Sequence, residues 1–199
     1  MEMESEWSKV PVTSLCHSQD LGLLLVGQGQ FVLLLTTGDQ SSVTTASGDI
    51  LARLQVFRGA VVHSIQRHSG DSWLVRGGKS LALVTVTEAR RLEVLVPETV
   101  HEDWIMASDA TGVIVSLLTA HNKLLTLGEL GEVTEARTAE CGPCILYSGL
   151  LHCREDGVIV MAGTVFGKLI IWNGWTGGVI NSLGGHDGVI FSVSYRWVR

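Results

Sequence analysis

Residues 158–195 read VIVMAGTVFGKLIIWNGWTGGVINSLGGHDGVIFSVSY. An apolar run from Val158 meets a small turn around Gly167, and a second apolar run ends at Trp172. Short β-branched runs bounded by glycine read as the two strands of a hairpin. The more polar run Gly178 to Leu183 comes next as an outer strand. Gly185-His186 then opens a further unit, with apolar Ile190, Val193 and Tyr195 on its first strand.

The same pattern recurs upstream. Apolar hairpins begin at Leu23, Trp73, Val113 and Val158, so their spacings are 50, 40 and 45 residues. Each is preceded by a strand-like run: VPVTSLCHS, AVVHSIQRH, DWIMASD and CILYSGLLH. Each is succeeded by a more polar one: SVTTA with ILARLQVF, then RLEVLVP, VTEART and GVINSL. Few windows carry helical periodicity, so the chain reads as all-β. A period of roughly 40–45 residues with four strands per unit is that of a WD40-type β-propeller. The expectation is a partial propeller of about four four-stranded antiparallel blades, near residues 10–58, 59–98, 101–140 and 143–184. The first strand of a fifth blade is expected at 186–195, with the chain truncated beyond it.

Within this frame Trp172 stands at the Trp of the WD dipeptide, with Asn173 in place of Asp. Gly185-His186 stands at the Gly-His that opens a repeat. In such repeats an indole, an imidazole, a strand Ser/Thr and a turn Asp satisfy one another's buried polar groups. Thr164 is the strand residue expected to pair with Trp172, and the partners of His186 are expected beyond Arg199.

Composition narrows the function classes. The 199 residues are 46% hydrophobic and 17% charged, with net charge −6. A chain of this make-up buries enough apolar surface to fold. It carries no basic stripe of the kind that binds DNA. The N-terminus MEMESEW is acidic, unlike a secretory leader. LGLLLVGQGQFVLLL is interrupted by Gln28-Gly29-Gln30, so no membrane span is expected. The expected location is cytoplasmic, with reduced thiols.

Several local motifs imitate chemistry. Cys141-Gly142-Pro143-Cys144 has thioredoxin spacing, but a strand-like run comes after it where a helix N-terminus would be needed to stabilise a thiolate. A thiol–disulfide oxidoreductase is thus the weaker alternative. Zinc held by Cys141, Cys144, His152 and Cys153 lacks the second paired spacing of structural sites. Arg76 to Ser80, RGGKS, ends like a phosphate-binding loop, yet Trp73 stands where the first glycine belongs and a strand comes next. His101 to Trp104, HEDW, reads as a solvated loop. The expectation is no catalytic residue, no cofactor site and no metal site in this chain.

The segment Val160 to Tyr195 resembles the N-terminal propeller of the WD repeat-containing protein 6 family, above all in AGTVFGKLIIW and GHDGVIFSVSY. DWIMASDATGVIVSLLTAHNKLLTL is similar to that family too, through Asp103-Trp104-Ile105 and the His121-Asn122 turn. The first hundred residues match in rhythm alone. The resemblance implies a non-catalytic scaffold partnering an FtsJ-type methyltransferase. That partner would bind S-adenosylmethionine and methylate the 2′-hydroxyl of the tRNA wobble ribose, with tRNA reached through the complex. The alternative is a WD40 interaction adaptor of another pathway, since one fold serves many partners.

Overall fold

The computed structural model describes residues 10–37, 50–111, 114–128, 131–142 and 144–195. Among them there are sixteen strands and no helix, hence no helix long and apolar enough to cross a membrane. The strands make four separate four-stranded antiparallel sheets, each a meander in chain order. The chain divides into two compact units, residues 1–101 and 102–199.

The first unit holds two sheets. One contains β1 (Val12–Ser18), β2 (Leu23–Gln28), β3 (Phe31–Thr36) and β4 (Ile50–Gln55). The other contains β5 (Ser64–Arg67), β6 (Ser72–Gly77), β7 (Ser80–Val86) and β8 (Leu92–Val100). The run SVTTA, read as part of an outer strand, lies outside the described residues. The second unit holds β9 (Ile105–Thr111), β10 (Ile114–Thr119), β11 (Lys123–Leu127) and β12 (Val133–Thr138). Its other sheet is β13 (Leu146–Arg154), β14 (Gly157–Thr164), β15 (Leu169–Asn173) and β16 (Val179–Leu183).

The central pair of each sheet carries the core, as a continuous apolar run buried on both faces requires. In the first unit Leu25, Val32, Leu34, Trp73, Val75 and Val84 pack in one cluster with Phe57 and Val62. In the second, Leu118, Val160, Ala162, Ile170 and Trp172 do the same. Burying each such aliphatic side chain stabilises by about 1.5–3 kcal/mol. The outer strands alternate or lie open, and β16 is exposed throughout. Charged and polar side chains such as Arg53, Glu135 and Asn181 sit there, which blunts an unpaired edge.

The tight turns arise from backbone sterics. Gln28 pairs with Phe31 and Gly77 with Ser80, which leaves two-residue connections at Gly29-Gln30 and Gly78-Lys79. Gly29 and Gly78 have φ of 57° and 58°, left-handed values that glycine adopts without a Cβ penalty.

Backbone hydrogen bonds tie neighbouring sheets inside each unit. The N–H of Val62 donates to Gly29 O at 2.7 Å, and that of Leu146 donates to Ala120 O at 2.8 Å. In both cases the chain entering a sheet is pinned to the central turn of the sheet before it. Side-chain volume is exchanged across the two contacts. A Cβ on Gly27 would lie 2.6 Å from Val62 Cγ1, and one on Gly149 would lie 2.7 Å from Leu118 Cδ2.

The segment expected to start a fifth unit has no ladder partner among the described residues. Residues 186–195 form no strand, because no sheet of the described residues offers them a ladder. They lie instead along the last sheet, where Ile190 N donates to Thr164 O at 3.2 Å.

Candidate functional site

Trp172 is fully buried on β15, opposite Val160 of β14. Its indole needs an acceptor there, since an unpaired buried N–H costs about 1–3 kcal/mol. Asn122, at the β10–β11 turn, supplies it: Trp172 Nε1 donates to Asn122 Oδ1 at 3.0 Å. Asn122 is itself fully buried with φ of 60°, a backbone state that asparagine tolerates better than most residues. The bond therefore joins the two sheets of the second unit.

The expected Thr164–Trp172 pair does not form. The register sets Trp172 against Val160, four residues from Thr164, and a strand rises about 3.3 Å per residue. Thr164 works at the other end of β14. Its Oγ1 accepts from Lys168 N at 2.9 Å, its N–H donates to Lys168 O, and its carbonyl receives Ile190.

Asn173 organises the next turn. Its Oδ1 accepts from Trp175 N at 2.8 Å and from Thr176 N at 3.0 Å. Gly185 and His186 are exposed. A Cβ on Gly167 would fall 1.9 Å from the His186 carbonyl oxygen, so the chain at His186 lies directly over the β14–β15 turn. The structure thus brings His186 to Gly167 and Trp172 to Asn122, and places Thr164 at the end of β14, Asn173 at the end of β15 and Gly185 in the exposed segment after β16. Asn122 was visible in the sequence as the His121-Asn122 turn, but its burial against Trp172 was not.

A second polar cluster steadies the same turn. Asp103 Oδ2 accepts from His121 N at 3.0 Å and contacts His121 Nδ1 at 2.9 Å, and Asp103 Oδ1 accepts from Trp104 N at 2.8 Å. Burial works to raise the Asp103 carboxyl, but these hydrogen bonds outweigh it and hold the group below its ordinary value. The carboxylate of HEDW is therefore a loop clasp, occupied on both oxygens.

All four cysteines are free thiols. Cys141 is exposed, whereas burial pushes the Cys144 thiol up and the Cys153 thiol up to about 11. Among the described residues no three His, Cys, Asp or Glu side chains gather as a metal site. Pro143 of the CGPC motif lies outside the described residues. RGGKS forms the β6–β7 turn, with β7 directly after it.

No protein-family model matches the chain, and no curated protein does. Among solved structures it is similar to the computationally designed Ika8 protein, with a TM-score of 0.61 and 12% identity over 93% of this chain. The chain spans 65% of the length of that designed protein. At this identity the likeness concerns the fold. With four separate four-stranded meanders and no helix among the described residues, the chain is consistent with a β-propeller-like fold.

Proposed function

We propose that this chain is the N-terminal part of a WD-type propeller of the WD repeat-containing protein 6 family, acting as a non-catalytic cytoplasmic scaffold in tRNA ribose methylation. The observation that carries the reading is the segment Val160 to Tyr195. Its resemblance motifs coincide with one packed unit, the β14–β15 hairpin with buried Trp172 and the His186 backbone over Gly167. The partner is an FtsJ-type methyltransferase, which supplies the S-adenosylmethionine site. With net charge −6, this chain offers its partner a docking surface and leaves RNA to other parts of the complex.

The test is to delete the gene and measure 2′-O-methylation of the wobble ribose by mass spectrometry. Loss of methylation with the methyltransferase polypeptide still present is the expected result. Unchanged methylation overturns the reading and leaves an adaptor of another pathway. Tight, salt-resistant tRNA binding by residues 1–199 alone overturns the assignment of RNA to the rest of the complex.

A further inference from the structure

A cavity of about 160 Å³ opens inside the second unit, between the β9–β12 sheet and the last sheet. Glu135 and Arg137 stand two apart on β12, so they share one side of the strand. Arg137 pairs in register with Leu124 of β11, and both reach the cavity. Val158 and Trp175 face them from the last sheet. Gly174 closes the floor between the two sheets, since a Cβ there would lie 2.6 Å from Leu124 Cδ2 and 3.0 Å from Val158 Cβ. The Trp175 N–H donates to Asn173 Oδ1 at 2.8 Å, which fixes the backbone that carries the indole.

The cavity is apolar below and charged above. Leu124 and Val158 at its base are buried, and Ile114 and Trp175 form its walls. At its rim the Glu135 carboxylate is paired with the Arg137 guanidinium. A cavity of about 150 Å³ with apolar walls takes up a benzene-sized ring. The rim then selects what the ring carries. A carboxylate is repelled by Glu135, and a lysine or arginine head by Arg137. A neutral group that both donates and accepts can serve the two at once. A phenol hydroxyl does so, donating to the carboxylate and accepting from the guanidinium. Tyrosine joins such a hydroxyl to an apolar ring.

We propose that this cavity is a socket for a tyrosine side chain of a partner polypeptide. A buried aromatic anchor in a pocket is the usual centre of a protein interface. The walls favour a polypeptide over a free phenol. Ile114 is 54% exposed and Trp175 52%, so apolar surface continues past the mouth. Residues flanking a tyrosine cover that surface, and a lone ring leaves it wet. A second copy of this chain is a poorer donor, because both of its tyrosines are engaged within their own chain. Tyr147 lies edge-on to Phe191 at 5.1 Å, and the Tyr195 hydroxyl bonds His152. The socket depends on packing within the second unit and stands apart from the family reading.

The test uses the full chain labelled with ¹⁵N, reading the Trp175 indole signal by NMR. The probe is a capped pentapeptide with tyrosine between alanines, beside its phenylalanine analogue and p-cresol. Expected is a saturable shift with the tyrosine peptide and binding of the phenylalanine peptide about tenfold weaker, the contribution of a hydroxyl bonded to charged groups. In Glu135→Gln and in Arg137→Met the tyrosine advantage shrinks while the phenylalanine peptide still binds, which shows the socket intact. Thr126→Phe fills the cavity from its wall and abolishes both shifts. No shift with tyrosine peptide up to about 10 mM overturns the proposal. So does an unchanged shift in Thr126→Phe, or a tyrosine advantage that survives both rim substitutions. p-Cresol binding as tightly as the tyrosine peptide overturns the polypeptide occupant in favour of a free phenol. A shift that grows with chain concentration alone overturns it in favour of a second copy.

Discussion

The Trp172 indole donates to Asn122 Oδ1 at 3.0 Å with both residues fully buried, across fifty residues of sequence. Each partner answers a need of the other's sheet: the indole requires an acceptor, and the left-handed Asn122 turn requires a small polar residue. Asn122→Ala removes the acceptor and places alanine at positive φ. The expected loss is about 2–4 kcal/mol, combining an unpaired buried N–H with the left-handed penalty. Asn122→Gly keeps the turn and loses the acceptor, so it falls between wild type and alanine. Urea midpoints in the three chains check this order, and equal stability of Asn122→Ala and wild type refutes it.

Gly167 and Gly142 separate backbone strain from contact. Their φ values are 74° and 83°, but a Cβ on Gly142 meets nothing within 4 Å, while one on Gly167 meets the His186 carbonyl. Gly142→Ala is expected to cost about 1–2 kcal/mol, the left-handed penalty alone. Gly167→Ala should cost clearly more and release residues 186–195 to faster hydrogen exchange. Equal melting temperatures for the two variants would show that the contact contributes nothing.

Stability should fall as pH drops from 7 toward 5. Burial pushes the imidazoles of His68 and His101 down. A depressed folded value means that the unfolded chain takes up protons first. The contribution is therefore present above the unfolded pKa of about 6.5 and is lost as pH falls through the lower folded values. Thermal melts of wild type and His68→Gln between pH 5 and pH 8 test this, and an unaltered slope in the variant would count against it. Asp20, doubly bonded to Arg67 at 2.7 Å, has its carboxyl held well below the usual range by that guanidinium. Its contribution persists down to much lower pH and does not enter this window.

Thiol reactivity should rank by burial. Exposed Cys141 is expected to react first with a disulfide reagent at pH 8, and Cys153, pushed up to about 11, last. Against an ordinary thiol near 8.5, that shift cuts the thiolate fraction on the order of 100-fold. Peptide mapping of the labelled chain over time checks the order. Early labelling of Cys153, or catalysed reduction of insulin by the protein, would contradict it.

The repeat of apolar hairpins at Leu23, Trp73, Val113 and Val158 was enough to determine an all-β chain of four-stranded antiparallel units. Strand alternation and glycine turns are local properties, written within a few residues of where they act. The burial of the central pairs was legible for the same reason: a strand covered on both faces has no polar side to show. The partner of Trp172 was not legible, because register decides which residues meet. One residue of slip reverses every side chain of a strand, and β-bulges set that register at distances no local pattern records. Tertiary packing alone gave Asn122 to Trp172 and left Thr164 to hold the β14–β15 turn and Ile190. It also decided that Ile190 to Tyr195, strand-like in sequence, forms no strand: β-structure requires a neighbour to accept its hydrogen bonds, and the described sheets supply none.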